Sequence, residues 1–240
     1  GVGLYDSFSI NDTAYFEDSD SDTLFKLNAS WDLNEESMAY ATFSQGFRRG
    51  GTNAVPLTGV FAEDPAWLHY GPDTTNNYEI GIKGTGNNSF YNVSLFYVDW
   101  KDIQLNTATT YWGFYAAQNG SDAHTQGIEI EYDKFFGNNW HVNAGYAYTK
   151  GKLDADMWSA DGIYVVAPTG QKLPGLSEHT INAMIENIQD MNNGWQWVNR
   201  LSAYYQSDSE NAISTSARFA ETLDSFSIWD FNSSVMIGEW

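Results

Sequence analysis

Cysteine is absent from the 240 residues, which excludes disulfides and thiolate metal sites and leaves the redox compartment open. Basic residues are scarce. Eleven Lys and Arg stand against 31 Asp and Glu, for a formal net charge of −20, the opposite of the basic stripe that marks a nucleic-acid surface. Such acidity suits solubility first, and secondly a surface that attracts cations. No run approaches the roughly 18 apolar residues of a membrane helix; the longest apolar stretches, at 111–117 and 162–167, are brief. If the chain meets lipid, it does so with strands. The only histidines are His69, His124, His141 and His179. None falls in a His-Glu-x-x-His pair, and no Gly-x-Ser-x-Gly elbow occurs, so an enzyme is not expected and no cofactor is implied. The chain begins at Gly1 with no charged stretch leading into an apolar segment, as a fragment or a processed chain would.

What is present is a rhythm. Short Asn/Gly/Asp-rich turns at 33–36, 84–88, 136–139 and 190–194 alternate with long polar connections at 50–75, 106–122, 154–176 and 207–224. Between them apolar residues recur at every second position, the period of a strand with two different faces. Over 123–134, Ile128, Ile130 and Tyr132 oppose Gly127, Glu129, Glu131 and Asp133. Over 140–149, Trp140, Val142, Ala144, Tyr146 and Tyr148 oppose His141, Asn143, Gly145, Ala147 and Thr149. The stretches 76–83 and 23–32 alternate equally well, and 89–105, 177–188, 195–206 and 225–237 less cleanly. One trimmed rim and one elaborated rim is the asymmetry of an outer-membrane barrel.

A mean hydropathy of −0.44 is compatible with a barrel whose wet lumen takes alternate strand positions. Trp31, Trp140, Trp195 and Trp197 border the short turns, while Tyr97, Trp100, Tyr148 and Tyr205 sit toward the long loops, as two aromatic belts around an apolar band would. Strands of about 10 residues match a tilted membrane crossing and exceed the usual 5–6 of soluble sheets. A soluble sandwich or propeller with ordinary surface aromatics is the alternative. The short turns recur about every fifty residues, a kelch-like period, but one period here holds two long strands rather than the four of a blade.

Four segments carry a resemblance: Ser37-Met-Ala-Tyr-Ala-Thr-Phe-Ser-Gln-Gly-Phe-Arg-Arg-Gly-Gly51, Asn77-Tyr-Glu-Ile-Gly-Ile-Lys-Gly84, Ser94-Leu-Phe-Tyr-Val-Asp-Trp-Lys-Asp-Ile-Gln-Leu105 and Gln126-Gly-Ile-Glu-Ile-Glu131. In this order they resemble the C-terminal half of the barrel in TonB-dependent outer-membrane receptors, in which a tyrosine-rich strand ending in Gly-Phe-Arg-x-Gly-Gly leads into a large extracellular loop. Arg49 stands where proline is common and Thr52 where an aromatic often sits. The resemblance implies an all-β fold, an antiparallel transmembrane β-barrel segment of about ten strands out of 22, with a partial first strand near 3–10. It implies that the plug domain, the TonB box and the closing strands lie outside this chain. The implied function is uptake of a scarce solute (ferric siderophore, vitamin or glycan) across the outer membrane of a Gram-negative bacterium. The implied partners are outer-membrane lipid, a small-molecule substrate and the TonB complex acting on the plug. A passive porin-like channel and a soluble carbohydrate-binding β domain are the alternatives; a plug of about a hundred residues upstream separates the first from the receptor.

Candidate ligand residues follow from the resemblance and from side-chain chemistry. Loop aromatics Trp67, Tyr70, Tyr111, Trp112, Phe114, Tyr115 and Trp158 could stack on rings, and Arg48 and Arg49 could take anionic groups in bidentate fashion; loop packing is the competing role for each. Glu79, Lys83, Glu129 and Glu131 are expected on the lumen wall. Asp18, Asp20 and Asp22 alternate as calcium ligands do but lack the glycine and final glutamate of an EF-hand, so a solvated loop is adequate; Asp154, Asp156 and Asp161 are read in the same way. The 84–89 segment resembles a phosphate loop, yet a strand follows it, which favours a tight turn. The Asn-x-Ser sequons at Asn28 and Asn92 fall within expected strands.

Overall fold

The computed structural model describes residues 22–192 and 194–237. The expected first strand near 3–10, with Asp18 and Asp20, lies outside these residues. Seventeen strands follow in chain order: β1 (Lys26–Asn34), β2 (Ser37–Arg48), β3 (Gly51–Thr52), β4 (His69–Tyr70), β5 (Asp73–Gly86), β6 (Ser89–Lys101), β7 (Gln104–Ala108), β8 (Tyr115–Asn119), β9 (Ala123–Phe136), β10 (Trp140–Leu153), β11 (Met157–Trp158), β12 (Val165–Ala167), β13 (His179–Asp190), β14 (Gln196–Gln206), β15 (Ser209–Glu210), β16 (Thr222–Leu223) and β17 (Phe226–Met236). Nine of them form one antiparallel sheet in the order β1-β2-β5-β6-β9-β10-β13-β14-β17. Each strand pairs with its neighbour in sequence through alternating short turns and long connections, as the turn rhythm predicts. The eight short strands pair two by two inside the long connections.

Register carries the alternation across the sheet. Ile80 lies opposite Ala41 and Leu95, Leu95 opposite Ile128, and Ile128 opposite Tyr148. On the other face Gly81, Ser94, Glu129, Ala147 and Thr180 form a matching row. Among the described residues no second layer covers the apolar face. Leu27, Ile80 and Phe231 are 66%, 58% and 67% exposed, and Ile128, Ile130, Val142 and Tyr146 are shielded only in part. A soluble sandwich would bury these side chains between two sheets. An apolar face left open on strands of 11–14 residues, as in β5, β6, β9, β10 and β14, is instead the outer wall of a membrane barrel. From β2 to β14 its backbone groups are paired with adjoining strands on both sides, which is what hydrocarbon requires.

The tight turns have local causes. Asn87 and Asn88 both hold positive φ, 48° and 57°, the geometry of a primed hairpin turn that asparagine tolerates. The 84–89 segment is therefore a turn between β5 and β6, not a phosphate loop. The expected strand 89–105 is broken at Asp102, where φ is 52°; the chain swings there and restarts as β7. Two glycines on the polar face make room for flattened rings: a Cβ at Gly81 would fall 2.5 Å from the Tyr40 ring, and one at Gly127 2.7 Å from the Phe96 ring.

The apolar core lies above the sheet rather than on it. Ile103, Ala123, Leu153, Met157, Val166, Ala167, Leu173 and Ile213 form one buried cluster, with Trp100 and Leu105 packed against it. Ala123 and Leu153 are opposite each other at the loop ends of β9 and β10, on the same parity as Glu129. The long connections thus fold over the lumen side.

Candidate functional site at the loop mouth

The first two connections are joined by polar side chains that replace missing strand partners. Asp73, at the start of β5, accepts from Arg48 Nε (2.9 and 3.1 Å), from the Arg48 terminal nitrogen, from Trp100 Nε1 (2.9 Å) and from the Gln104 backbone N–H (3.0 Å). The Arg48 guanidinium also lies 5.2 Å from the centre of the Trp100 ring. Gln104 Nε2 donates to the carbonyls of Arg49 and Gly71, both at 2.9 Å. Asn53 donates to the carbonyls of Trp67 and Ala117 and accepts from Ala117 N–H (2.8, 2.6 and 2.9 Å), so its amide serves as an extra backbone unit beside β8.

The β7–β8 ribbon projects a tip at 109–114. Buried Glu63 accepts from Thr109 Oγ1 (2.6 Å), Trp112 N–H (2.8 Å) and Tyr111 N–H (3.1 Å), and so fixes the tip from the first connection. Asp161, in the third connection, accepts from Thr110, from Ser159 Oγ at 2.6 Å and from Ile163 N–H at 3.2 Å. Burial pushes its carboxyl up, but these hydrogen bonds outweigh burial and hold it below the usual carboxylate range. Exposed Asp156 is held low by the backbone and side chain of Thr169, and Asp154 lies 2.6 Å from His124 Nδ1. Asp154, Asp156 and Asp161 are thus spread over separate loop bonds. Among the described residues no three His, Asp or Glu side chains gather as a metal site would require.

The ribbon tip carries Tyr111, Trp112, Phe114 and Tyr115, of which Tyr111 and Tyr115 are about 60% exposed. Trp112 meets Phe61 edge to face with centroids 4.8 Å apart, and Trp158 is exposed on β11. Tyr164 donates to the Ala108 carbonyl at 3.2 Å, tying the third connection to the ribbon. Below the tip, a cavity of about 220 Å³ opens between the ribbon and the third and fourth connections, lined by Asn106, Thr107, Tyr115, Tyr164, Ile213 and Ser214 among others. The Thr107 hydroxyl is buried without a partner.

Two expected ligand residues are used otherwise. Trp67 is fully buried beneath a short 3-10 turn, Pro65–Trp67, so its ring packs the loop. Arg48 spends its bidentate face on Asp73. Tyr70 is half-buried, with its ring against Gly51, and Arg49 is exposed beside it. The expected lumen residues Glu79, Lys83, Glu129 and Glu131 all lie on the polar face: Glu79 accepts from Tyr40 at 2.8 Å, and Lys83 lies over the Tyr40 ring. Trp100 corrects the belt assignment. It shares the lumen parity with Ala123, so Tyr97, Tyr148 and Tyr205 remain as the outward aromatics near the loops. Asn53, Glu63 and Asp73 were missed because an isolated polar residue in a loop carries no periodic signal.

Residues 3–236 match the family described as TonB dependent receptor-like, beta-barrel. The chain belongs to that family. It is therefore part of an outer-membrane β-barrel of a receptor-transporter family, not an enzyme. The pesticin receptor of Yersinia enterocolitica is 24% identical over 154 residues, 63% of this chain and 22% of that protein. The ferripyoverdine receptor of Pseudomonas aeruginosa is 28% identical over 135 residues, 51% of this chain and 15% of that protein. This chain thus spans about a fifth of the length of such relatives. The crystal structure of the ferric yersiniabactin uptake receptor of Yersinia pestis superposes with a TM-score of 0.66 at 18% identity, covering 88% of this chain and 29% of that one. The copper transporter OprC superposes at 0.60 with 16% identity, covering 87% and 30%. At such identities these two structures speak for the fold.

Proposed function

We propose that this chain is the barrel wall and part of the extracellular mouth of a receptor that takes up a ferric siderophore, energised by TonB acting on a plug encoded outside these residues. The observation that carries the reading is the placement of the loop core: three connections fold toward the lumen side, above a wall lined by Glu79, Glu129 and Glu131, and present an aromatic tip at the entrance. A relative named for ferripyoverdine supports an iron-chelate cargo. Tyr111, Trp112, Tyr115 and Trp158 offer ring faces to ring groups of the chelate, each stacking contact worth on the order of 0.5–1.5 kcal/mol. Arg48 is excluded from the binding set, because removing it would unpair buried Asp73.

The test is uptake of radiolabelled iron by cells that express the full-length receptor as their only ferric-siderophore receptor, across a panel of chelates. Accumulation should require TonB, and Trp112→Ala with Trp158→Ala should raise the half-saturating concentration several-fold while surface expression is unchanged. Uptake that persists without TonB would replace the receptor by a passive channel; no accumulation of any ferric chelate would overturn the cargo.

A further inference from the structure

The mouth formed by this chain is acidic. Its four long connections, 49–72, 102–122, 154–178 and 207–225, carry twelve Asp and Glu against only Arg49, Lys172 and Arg218. Lys172 is already answered by Glu178 at 3.0 Å and by the nearby charges of Asp208 and Glu210. Arg218 lies over the Phe219 ring, 5.5 Å from its centre, and Arg48, at the end of β2, is tied to Asp73. The lumen wall below continues the negative charge with Glu79, Glu129 and Glu131. A recess lined by one sign of charge focuses its field and concentrates ligands of the opposite sign. The exposed rings of Tyr111, Trp112 and Trp158 add to this, because an aromatic ring is negative over its face and attracts cations.

Inside this acidic surround the cavity beneath the ribbon is uncharged. Asn106, Thr107, Tyr115, Tyr164, Ser214 and Ser216 supply its polar groups, and among the described residues no Asp, Glu, Lys or Arg lines it. Thr107 is 4% exposed, and its hydroxyl is buried there without a partner. An unpaired buried hydroxyl is costly, so a guest that pairs with it is favoured over one that cannot. Burial first, and then the Asp161 carboxylate, push the Tyr164 hydroxyl up; the wall stays neutral, and an anionic guest beside it would meet the same field. At about 30 Å³ for each water, the cavity of about 220 Å³ has room for one substituent and not for a whole chelate.

We propose, on the basis of the receptor reading above, that this mouth selects a ferric chelate with no net negative charge and that the Thr107 cavity takes a neutral hydroxyl- or amide-bearing substituent of it. Hydroxamate groups neutralise the ferric ion, whereas catecholates leave the complex anionic, so the cargo class is a ferric hydroxamate and not a ferric tris-catecholate.

The test measures binding to the purified full-length receptor by quenching of tryptophan fluorescence. The probes are a ferric trihydroxamate that ends in a free ammonium group, an uncharged ferric trihydroxamate and a trianionic ferric tris-catecholate. The first two should bind at least roughly tenfold more tightly than the third at low salt. The gap should narrow between about 10 mM and about 150 mM salt, as the screening length falls from about 30 Å to about 8 Å. Replacing three exposed carboxylates of the fourth connection together, Asp208→Asn, Glu221→Gln and Asp224→Asn, should strengthen binding of the tris-catecholate severalfold. Thr107→Val keeps the shape of the side chain and should weaken the preferred hydroxamate roughly three- to tenfold, the worth of one hydrogen bond. A merely structural hydroxyl would instead alter loop proteolysis and leave the Kd unchanged. Heat-modifiable migration on gels verifies that the variants are folded. Binding of the tris-catecholate as tight as that of the hydroxamates would overturn this inference while leaving the receptor reading intact. An unchanged Kd in the valine variant would overturn the assignment of the cavity. Failure of every ferric chelate to bind would overturn the cargo reading and this inference with it.

Discussion

Ile80 and Met157 are both apolar, yet Ile80 is 58% exposed in the middle of the sheet while Met157 is wholly enclosed in the loops. The sheet and the loop cap solve different solvent problems. A membrane strand needs its backbone paired and its outer side chains apolar, because lipid supplies neither donors nor acceptors; packing against another protein layer is dispensable there. The loops stand in water and must exclude it from their own backbone, so they collect the buried cluster around Met157 and spend Asp73, Glu63, Asn53 and Asp161 as acceptors for neighbouring N–H groups. In an ordinary soluble fold the sheet would hold the core and the loops would be wet. Here the arrangement is inverted.

The sharpest way to break that contrast is a charge on the outer face. Ile130→Arg, near the centre of β9, should destabilise the full-length receptor in lipid vesicles by about 2–4 kcal/mol, read by urea unfolding, whereas Glu129→Lys on the lumen side of the same strand should change it little. If both positions respond alike, the assignment of faces is wrong.

Next in size, Met157→Ala should cost the loop cap roughly 2–3 kcal/mol through the cavity it leaves. The expected signature is local: faster proteolysis within 154–178 and 207–225, with the urea midpoint of the barrel unmoved. Asp73→Ala should then cost about 1–3 kcal/mol, since the Trp100 indole and the Gln104 N–H lose their acceptor; hydrogen exchange at Gln104 should accelerate while β9 and β10 stay protected.

The smallest effect is that of pH. The carboxyls of Asp161, Asp156 and Glu178 are held below their ordinary values, the last by Lys172 first of all, so the folded cap binds fewer protons than the unfolded loops, in which Asp and Glu titrate near about 3.9 and 4.3. The stability they supply is present above that range and is lost as pH falls through the folded values. Loop proteolysis should therefore rise below about pH 4, ahead of any change in the strands, and a cap that loosens instead toward alkaline pH would contradict these bonds.

Much of the sheet could be read from residues alone, because its rules are local. Alternation in 123–134 and 140–149 sets the two faces of β9 and β10, and Asn87-Asn88 announces its turn. The break at Asp102 was not legible, since a left-handed residue in a strand-like run leaves the pattern on either side intact. Trp100 followed from its position near a strand end but not its direction, which parity with Ala123 decides. Trp67 and Arg48 suggested ligand contacts by type; the structure encloses one and ties the other to Asp73, a partner 25 positions away that no spacing rule connects to it.

The order of side chains determined that this chain would make long two-faced strands joined by alternating short and long links, because period-two patterning and turn residues act between near neighbours. Only the folded arrangement decided which acidic and aromatic residues hold the mouth together and which remain open to a ligand, because those contacts join separate connections whose approach is fixed by the register of the sheet beneath them.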